Sequence, residues 1–150
     1  MSEYNLKRFI KAQSDSFEIA YYELSNGKKE SHWMWYIFPQ IVGLGKSETA
    51  IYYSINNLEE ATEYMKNEIL GPRMNLLVDI LLNLDETDPV KIFSFPDNLK
   101  LWSSLTLFMY AEPSNPRFKM ALDKFFQGRI DMGTVNMLKE LGDIEWWKFL

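Results

Sequence analysis

Few side chains in this 150-residue sequence can do chemistry, and their types narrow what that chemistry is. There is no cysteine and one histidine, His32. Thiol catalysis, disulfide frameworks, iron–sulfur clusters and cysteine- or multi-histidine-ligated zinc are therefore excluded within one chain, and no metal or other cofactor is expected. His32 heads an unusual run, Ser31-His32-Trp33-Met34-Trp35-Tyr36-Ile37-Phe38-Pro39-Gln40. A helix N-terminus disfavours the imidazolium form, so His32 in such a place would serve as a neutral hydrogen-bond partner or a general base. The competing reading is a histidine packed in the core. In a helix, His32, Trp35, Tyr36 and Pro39 share one face while Trp33, Ile37 and Gln40 share the other.

Gly43-Leu44-Gly45-Lys46-Ser47 invites comparison with a phosphate-binding loop. The full motif needs a glycine where Gln40 stands and a buried parallel strand leading in, and both are missing. A nucleotide-hydrolysing loop is excluded. A weaker role survives, in which backbone N–H groups and Lys46 with Ser47 hold one phosphate; the alternative is a glycine loop carrying an exposed lysine. Arg73 follows Gly71-Pro72 in a first helical turn, where a cation opposes the helix dipole. It calls for a partner, either an anionic ligand or a carboxylate, and the nine acids among residues 51–100 favour the carboxylate. Lys100, Ser103 and Ser104 stand at helical spacing with Asp97, and with Thr106 nearby, inside an otherwise apolar helix. They either engage an anion or serve close helix packing, with the hydroxyls bonded back one turn and Asp97 as the cap. The pairs Glu59-Glu60 and Asp85-Glu86 are adjacent in sequence, project differently and are read as solvated faces, with no glycosidase pair.

The elements that must position these groups are helical. Leu6, Phe9, Ile10, Gln13, Phe17, Ala20, Tyr21 and Leu24 recur at three- and four-residue steps, capped by Asn5 and stopped by Asn26-Gly27. The 31–39 run is apolar all round, as expected of a central helix started by Ser31 and ended by Pro39. Ser47 and Asn57 are expected to cap the next two helices. Asp88-Pro89 and Asn115-Pro116 each pair a capping residue with a proline at the first helical position. Gly128 closes the helix containing Phe118, Leu122 and Phe125. Nothing alternates with period two, so the expected fold is all-α: one domain over residues 1–150, a compact bundle of seven to nine short helices around a buried aromatic central helix.

Net charge is −5, with six basic and six acidic residues in both the first and last fifty positions, so the excess acid lies in the middle third. An acidic chain repels phosphate backbones, so nucleic acid is not an expected partner. No apolar run reaches 18 residues and the N-terminus carries no apolar signal region, so no membrane is expected and a cytoplasmic location is. Aromatics make up 15% of the residues, four of them in the 31–40 run. The Met- and Trp-rich stretch from Met132 to Trp147 reads as core or as a contact in a homodimer.

The 31–40 run also resembles a bacterial family of unknown function, domain-of-unknown-function family 1810, whose members are sometimes mislabelled calpastatin. The resemblance covers Leu6 to Gln13, Gly43 to Ser47 and Leu70-Gly71-Pro72-Arg73. It continues through Ile92-Phe93, Pro96 to Leu101 and Ser103 to Phe108, then reaches Leu122 to Gly128. It implies a multihelical fold with buried central helices and implies no activity. Trp102 departs from the pattern, which leads one to expect a polar or basic residue there. Together these readings give a ligand site of Trp35, Gln40, Lys46, Ser47, Arg73, Lys100, Ser103 and Thr106, with His32 as its base if a reaction follows. The ligand they suit is a small, flat anion such as a nucleotide or an ADP-ribose-like metabolite. The alternative is a non-enzymatic interaction or regulatory module using an aromatic and methionine surface.

Overall fold

A computed structural model describes residues 4–145. Among them are nine helices: α1 (Lys7–Ser25), α2 (Met34–Ile37), α3 (Glu48–Tyr52), α4 (Leu58–Lys66), α5 (Leu70–Asn83), α6 (Pro89–Phe93), α7 (Asp97–Ala111), α8 (Pro116–Phe126) and α9 (Met132–Glu140). The fold is all-α. Among the described residues the one departure is an isolated parallel bridge between Ile41 and Ile55, where Val42 N–H donates to Ile55 O and Ile55 N–H to Gln40 O, both at 2.8 Å. No described helix is long and apolar enough to cross a membrane.

The centre of the bundle is α7, which packs on α4, α6, α8 and α9. Six consecutive residues from Ser103 to Phe108 are buried, so no face of that stretch meets water. The aromatic run belongs to the core through Trp33, Met34, Ile37 and Phe38, but its helix is only four residues long. Trp35 and Tyr36 are half-buried, and His32 lies exposed in the turn ahead of α2.

Caps follow side-chain chemistry. Ser47, Asn57, Asp88 and Asn115 each accept a backbone N–H of the first turn, as their residue types predict. Three expectations are corrected. Leu6, not Asn5, precedes α1, with no side-chain cap. Pro96 is the N-cap of α7, which frees the Asp97 carboxylate for two lysines. Gln127 takes the left-handed position at the end of α8 at φ 54°, with Gly128 following at φ 76°. The end of α5 is closed by a side chain from another helix: Lys124 Nζ donates to the carbonyls of Leu81, Leu82 and Leu84. Burial lowers the Lys124 pKa, against the pull of Asp85. At the α4–α5 junction, Gly71 lies against the Met65 carbonyl, and a Cβ at that position would collide with it.

Two buried carboxylates carry much of the order. Glu60 is fully buried rather than solvated, as its position in an acidic pair had suggested. Its Oε2 pairs with Arg8 at 2.9 Å, and its Oε1 accepts from Asn56 N–H and Nδ2. Arg8 in turn donates to the carbonyls of Tyr52 and Ser54, which ties α1 to α3 and to the start of α4. Glu23 accepts four hydrogen bonds, from Glu30 N–H, Ser31 N–H, Ser31 Oγ and Trp33 Nε1. Ser31 therefore holds the Glu23 carboxylate instead of capping α2. Burial alone would raise the Glu23 pKa; the hydrogen bonds outweigh it and bring it from 4.5 down to about 2.

Two predictions follow from these carboxylates. Glu60→Ala should cost about 3–5 kcal/mol in urea unfolding, because Arg8 is left buried and unpaired, and Arg8→Leu/Glu60→Leu should recover part of that loss. For Glu23 the folded pKa is depressed, so its contribution is complete above pH 4.5 and is lost as pH falls towards 2. That contribution is on the order of 3 kcal/mol. The melting temperature of Glu23→Gln should be lower at pH 7 and should fall less than wild type between those two pH values.

Candidate functional site

The site residues expected from sequence separate into three groups. The first lies on the α7 side of α2. Lys100 Nζ stands 5.2 Å from the centroid of the Trp35 ring and 3.6 Å from Asp97 Oδ1. The other oxygen, Asp97 Oδ2, is 2.9 Å from Lys29 Nζ, which lies 5.0 Å over the Trp33 ring and donates to Ser31 O. One carboxylate thus serves two ammonium groups, each over a tryptophan face. The Lys29 side chain is 7% exposed and fully engaged; that of Lys100 is 26% exposed and makes one long ionic contact.

The second group lies where α1, α2 and α5 meet. Arg73 is half-buried, with its guanidinium 5.0 Å over the Phe17 ring and Nη1 donating to Gln13 Oε1 at 3.4 Å. Gln13, 1% exposed, uses its Nε2 to donate to Tyr36 O and Tyr64 Oη. Tyr36 Oη meets Ser16 Oγ at 2.8 Å. Burial pushes the Tyr64 phenol well above its ordinary pKa, while the Gln13 hydrogen bond and the Arg73 charge pull the other way. The carboxylate expected for Arg73 is absent: among the described residues none lies within ion-pair distance of it. The acids of the middle third are directed elsewhere, Glu60 to Arg8, Asp79 to Arg117 and Asp97 to the two lysines.

The third group is occupied by the fold. Ser103 Oγ donates to Asp131 Oδ2 at 2.6 Å, with Leu99 O one turn back as the longer, alternative acceptor at 3.2 Å. Thr106 Oγ1 donates to Trp102 O and accepts Asp131 N–H. Both hydroxyls thus secure the start of α9, where Asp131 is the cap. Ser47 Oγ caps α3, which is five residues long, and Lys46 is exposed beside it. Gly43, at φ 96°, and Leu44 pack against Met137 and Gly133 of α9. Gln40 is half-buried, with its carbonyl in the bridge to Ile55. Trp102 stacks on Phe126 at 5.7 Å and donates to Arg129 O, on the side of α7 turned away from Lys100. Of the Met- and Trp-rich stretch, Met132 is exposed, and Trp146 and Trp147 lie outside the described residues.

The sequence reading left Lys29, Gln13 and Tyr36 out of the site, and it weighed Ser104 only beside Ser103 on the helix of Lys100. Gln13 was legible as a polar residue on a buried stripe, and such a residue must find partners. Ser104 stands out only in three dimensions: its Oγ and Asn98 Oδ1 are the buried side-chain atoms without a hydrogen-bond partner among the described residues. A cavity of about 550 Å³ lies elsewhere, between Met109, Tyr110, Pro113, Pro116, Lys119 and Ile144.

Comparison with known proteins agrees with this fold. Among curated proteins none matches the sequence. A solved structure, that of the conserved hypothetical protein Rv1873 from Mycobacterium tuberculosis, is similar at 40% identity with a TM-score of 0.90. The similarity covers 92% of this chain and 99% of that one. The family described as "Protein of unknown function (DUF1810)" matches residues 3–138, nearly the whole chain, and the chain belongs to that family.

Proposed function

We propose that the protein binds a small anionic ligand beside α2, with Arg73 holding the charged group and Trp35 and Lys100 holding a flat ring. The observation that carries this reading is the state of Arg73. In a chain of net charge −5, its half-buried guanidinium is given an aromatic face and one long amide contact instead of a carboxylate. A guanidinium presents a planar fork of donors suited to phosphate or carboxylate, and a partly desolvated one gains most from a charged acceptor. Gln13 connects the two halves of the site, since it accepts from Arg73 and donates to Tyr36 O, the residue after Trp35. A nucleotide or ADP-ribose-like metabolite supplies both a ring and an anion. The function proposed is binding. His32 is exposed ahead of α2 and makes no described contact with either cluster, so no proton-transfer role is assigned to it.

A second reading, a protein-interaction module, draws on the apolar groove at the end of α7 and on the exposure of Phe95, Tyr22 and Tyr52. The two readings separate in one experiment. A thermal shift screen against nucleotides, ADP-ribose and pyrophosphate should raise the melting temperature of the wild type by linkage. Arg73→Ala should weaken that ligand at least tenfold by calorimetry, in line with about 1.5–3 kcal/mol for a charged hydrogen bond. The absence of any shift, together with a concentration-dependent dimer, would overturn the binding reading in favour of the module.

A further inference from the structure

A hollow in two parts opens between α1 and the end of α3. One part, about 410 Å³, is lined by Asn5, Lys7, Arg8, Ile10, Lys11 and Tyr52. The other, about 290 Å³, shares Asn5, Arg8 and Tyr52 with it and adds Tyr4, Ile51, Ser54 and Asn56. Among the described residues no carboxylate lines either part. Arg8 brings no free charge, since Glu60 neutralises it and the carbonyls of Asn5, Tyr52 and Ser54 take its other donors. Lys7 and Lys11 differ. Both are exposed, and neither reaches a carboxylate among the described residues. They stand four residues apart on one face of α1, a rise of about 6 Å. Like charges at that spacing weaken a helix, so the pair is no aid to folding. In a chain of net charge −5, this hollow carries two uncompensated positive charges.

We propose that this hollow is a second binding site, for a phosphorylated sugar, with the phosphate between Lys7 and Lys11 and the sugar ring against Tyr52. It does not depend on the Arg73 site. Two ammonium groups match a phosphomonoester, which carries about −1.5 to −2 charges at pH 7, better than they match a monoanion. Lysine binds phosphate as a point charge, and two of them one turn apart can share its oxygens. Tyr52 is 56% exposed and yet fixed in place, because its carbonyl accepts Arg8 Nε at 2.9 Å and its ring meets that of Tyr53 edge-on at 4.8 Å. A ring held in this way loses little freedom when a ligand covers it. Past Tyr52 the lining is uncharged and polar. Asn56 gives its N–H and its Nδ2 to Glu60 Oε1, which leaves its Oδ1 to accept, and Asn5 brings a second side-chain amide. Hydroxyl groups both donate and accept, so they suit such a wall. The larger part alone falls within the roughly 300–1,000 Å³ of small-molecule sites.

The test is calorimetric titration of the full chain with glucose 6-phosphate, ribose 5-phosphate, glucose 6-sulfate and inorganic phosphate. At least one of the two sugar phosphates should bind more tightly than the sulfate and the inorganic ion, and its affinity should fall with added salt. Lys7→Gln and Lys11→Gln should each weaken that sugar phosphate about tenfold or more. Their melting temperatures should hold or rise, since each change relieves a like-charge contact. Tyr52→Ala, which keeps the carbonyl that Arg8 holds, should weaken the sugar phosphate and leave inorganic phosphate unchanged. Arg73→Ala should alter none of these titrations. If wild type holds the sulfate or inorganic phosphate as tightly as the sugar phosphates, the lysines attract anions by charge alone and the proposal is overturned. Binding that survives both lysine changes, or that disappears with Arg73→Ala, places the phosphate at Arg73 and overturns this second site. Failure of both sugar phosphates to bind wild type would overturn it as well, while a nucleotide that still binds through Arg73 would leave the earlier reading standing.

Discussion

The carboxylate of Glu23 decides where everything around the candidate site stands. A chain leaving a 19-residue helix must turn back on itself before it can place an aromatic run in the core. The turn from Glu30 to Trp33 exposes N–H groups that the short helix after it cannot satisfy. Glu23 takes four donors at once, two of them backbone N–H groups and one the indole of a tryptophan 1% exposed. The indole could not be buried without a partner, and the carboxylate could not be buried without donors. Each makes the other's burial favourable. With Trp33 fixed, Lys29 is held over its ring and pinned to Asp97, which orients the start of α7 and so the height of Lys100 over Trp35.

Charge is distributed by the same economy. The protein is acidic overall, yet its buried acids, Glu23 and Glu60, and the half-buried Asp97 are already committed to particular cations or N–H groups. Glu60 is closed around Arg8, and Asp97 is divided between two lysines. What remains beside α2 is a local excess of positive charge placed on aromatic faces, where the ring quadrupole offsets part of the cost of desolvation. Such cations keep hydrogen-bonding capacity in reserve. An acidic exterior repels polyanions, while a local cluster of cations lowers that barrier for a single small anion.

How much of this was legible in the sequence depended on the range of the interaction. Local chemistry was readable: the caps at Ser47, Asn57, Asp88 and Asn115 use side chains within two or three residues of the N–H groups they accept. The buried stripe of α1 was readable too, because three- and four-residue spacing is a property of the helix itself. Partners distant in sequence were not. Nothing in the pair Glu59-Glu60 marks which carboxylate is buried, since that is set by Arg8, 52 residues earlier. Asp97 reads as a cap until Lys29 is found beside it, and Ser103 reads like Ser104 until Asp131 takes one of them. The composition of the aromatic run suggested a surrounded helix. In fact Trp35 and Tyr36 stay half-buried, and the surrounded helix is α7, whose small hydroxyl residues disguise it.

Gly71 gives the arrangement a consequence for how the sequence can change. Its bare Cα lets α4 and α5 meet without a spacer, with the Met65 carbonyl against it. Arg73 stands only two residues further on, so its reach to Gln13 is inherited from that contact. A methyl group at position 71 would act as a wedge, prying the two helices apart and swinging the guanidinium off Phe17. A residue with no side chain is thus the pivot for Arg73, and drift at that one position would displace the guanidinium without touching any residue that it contacts.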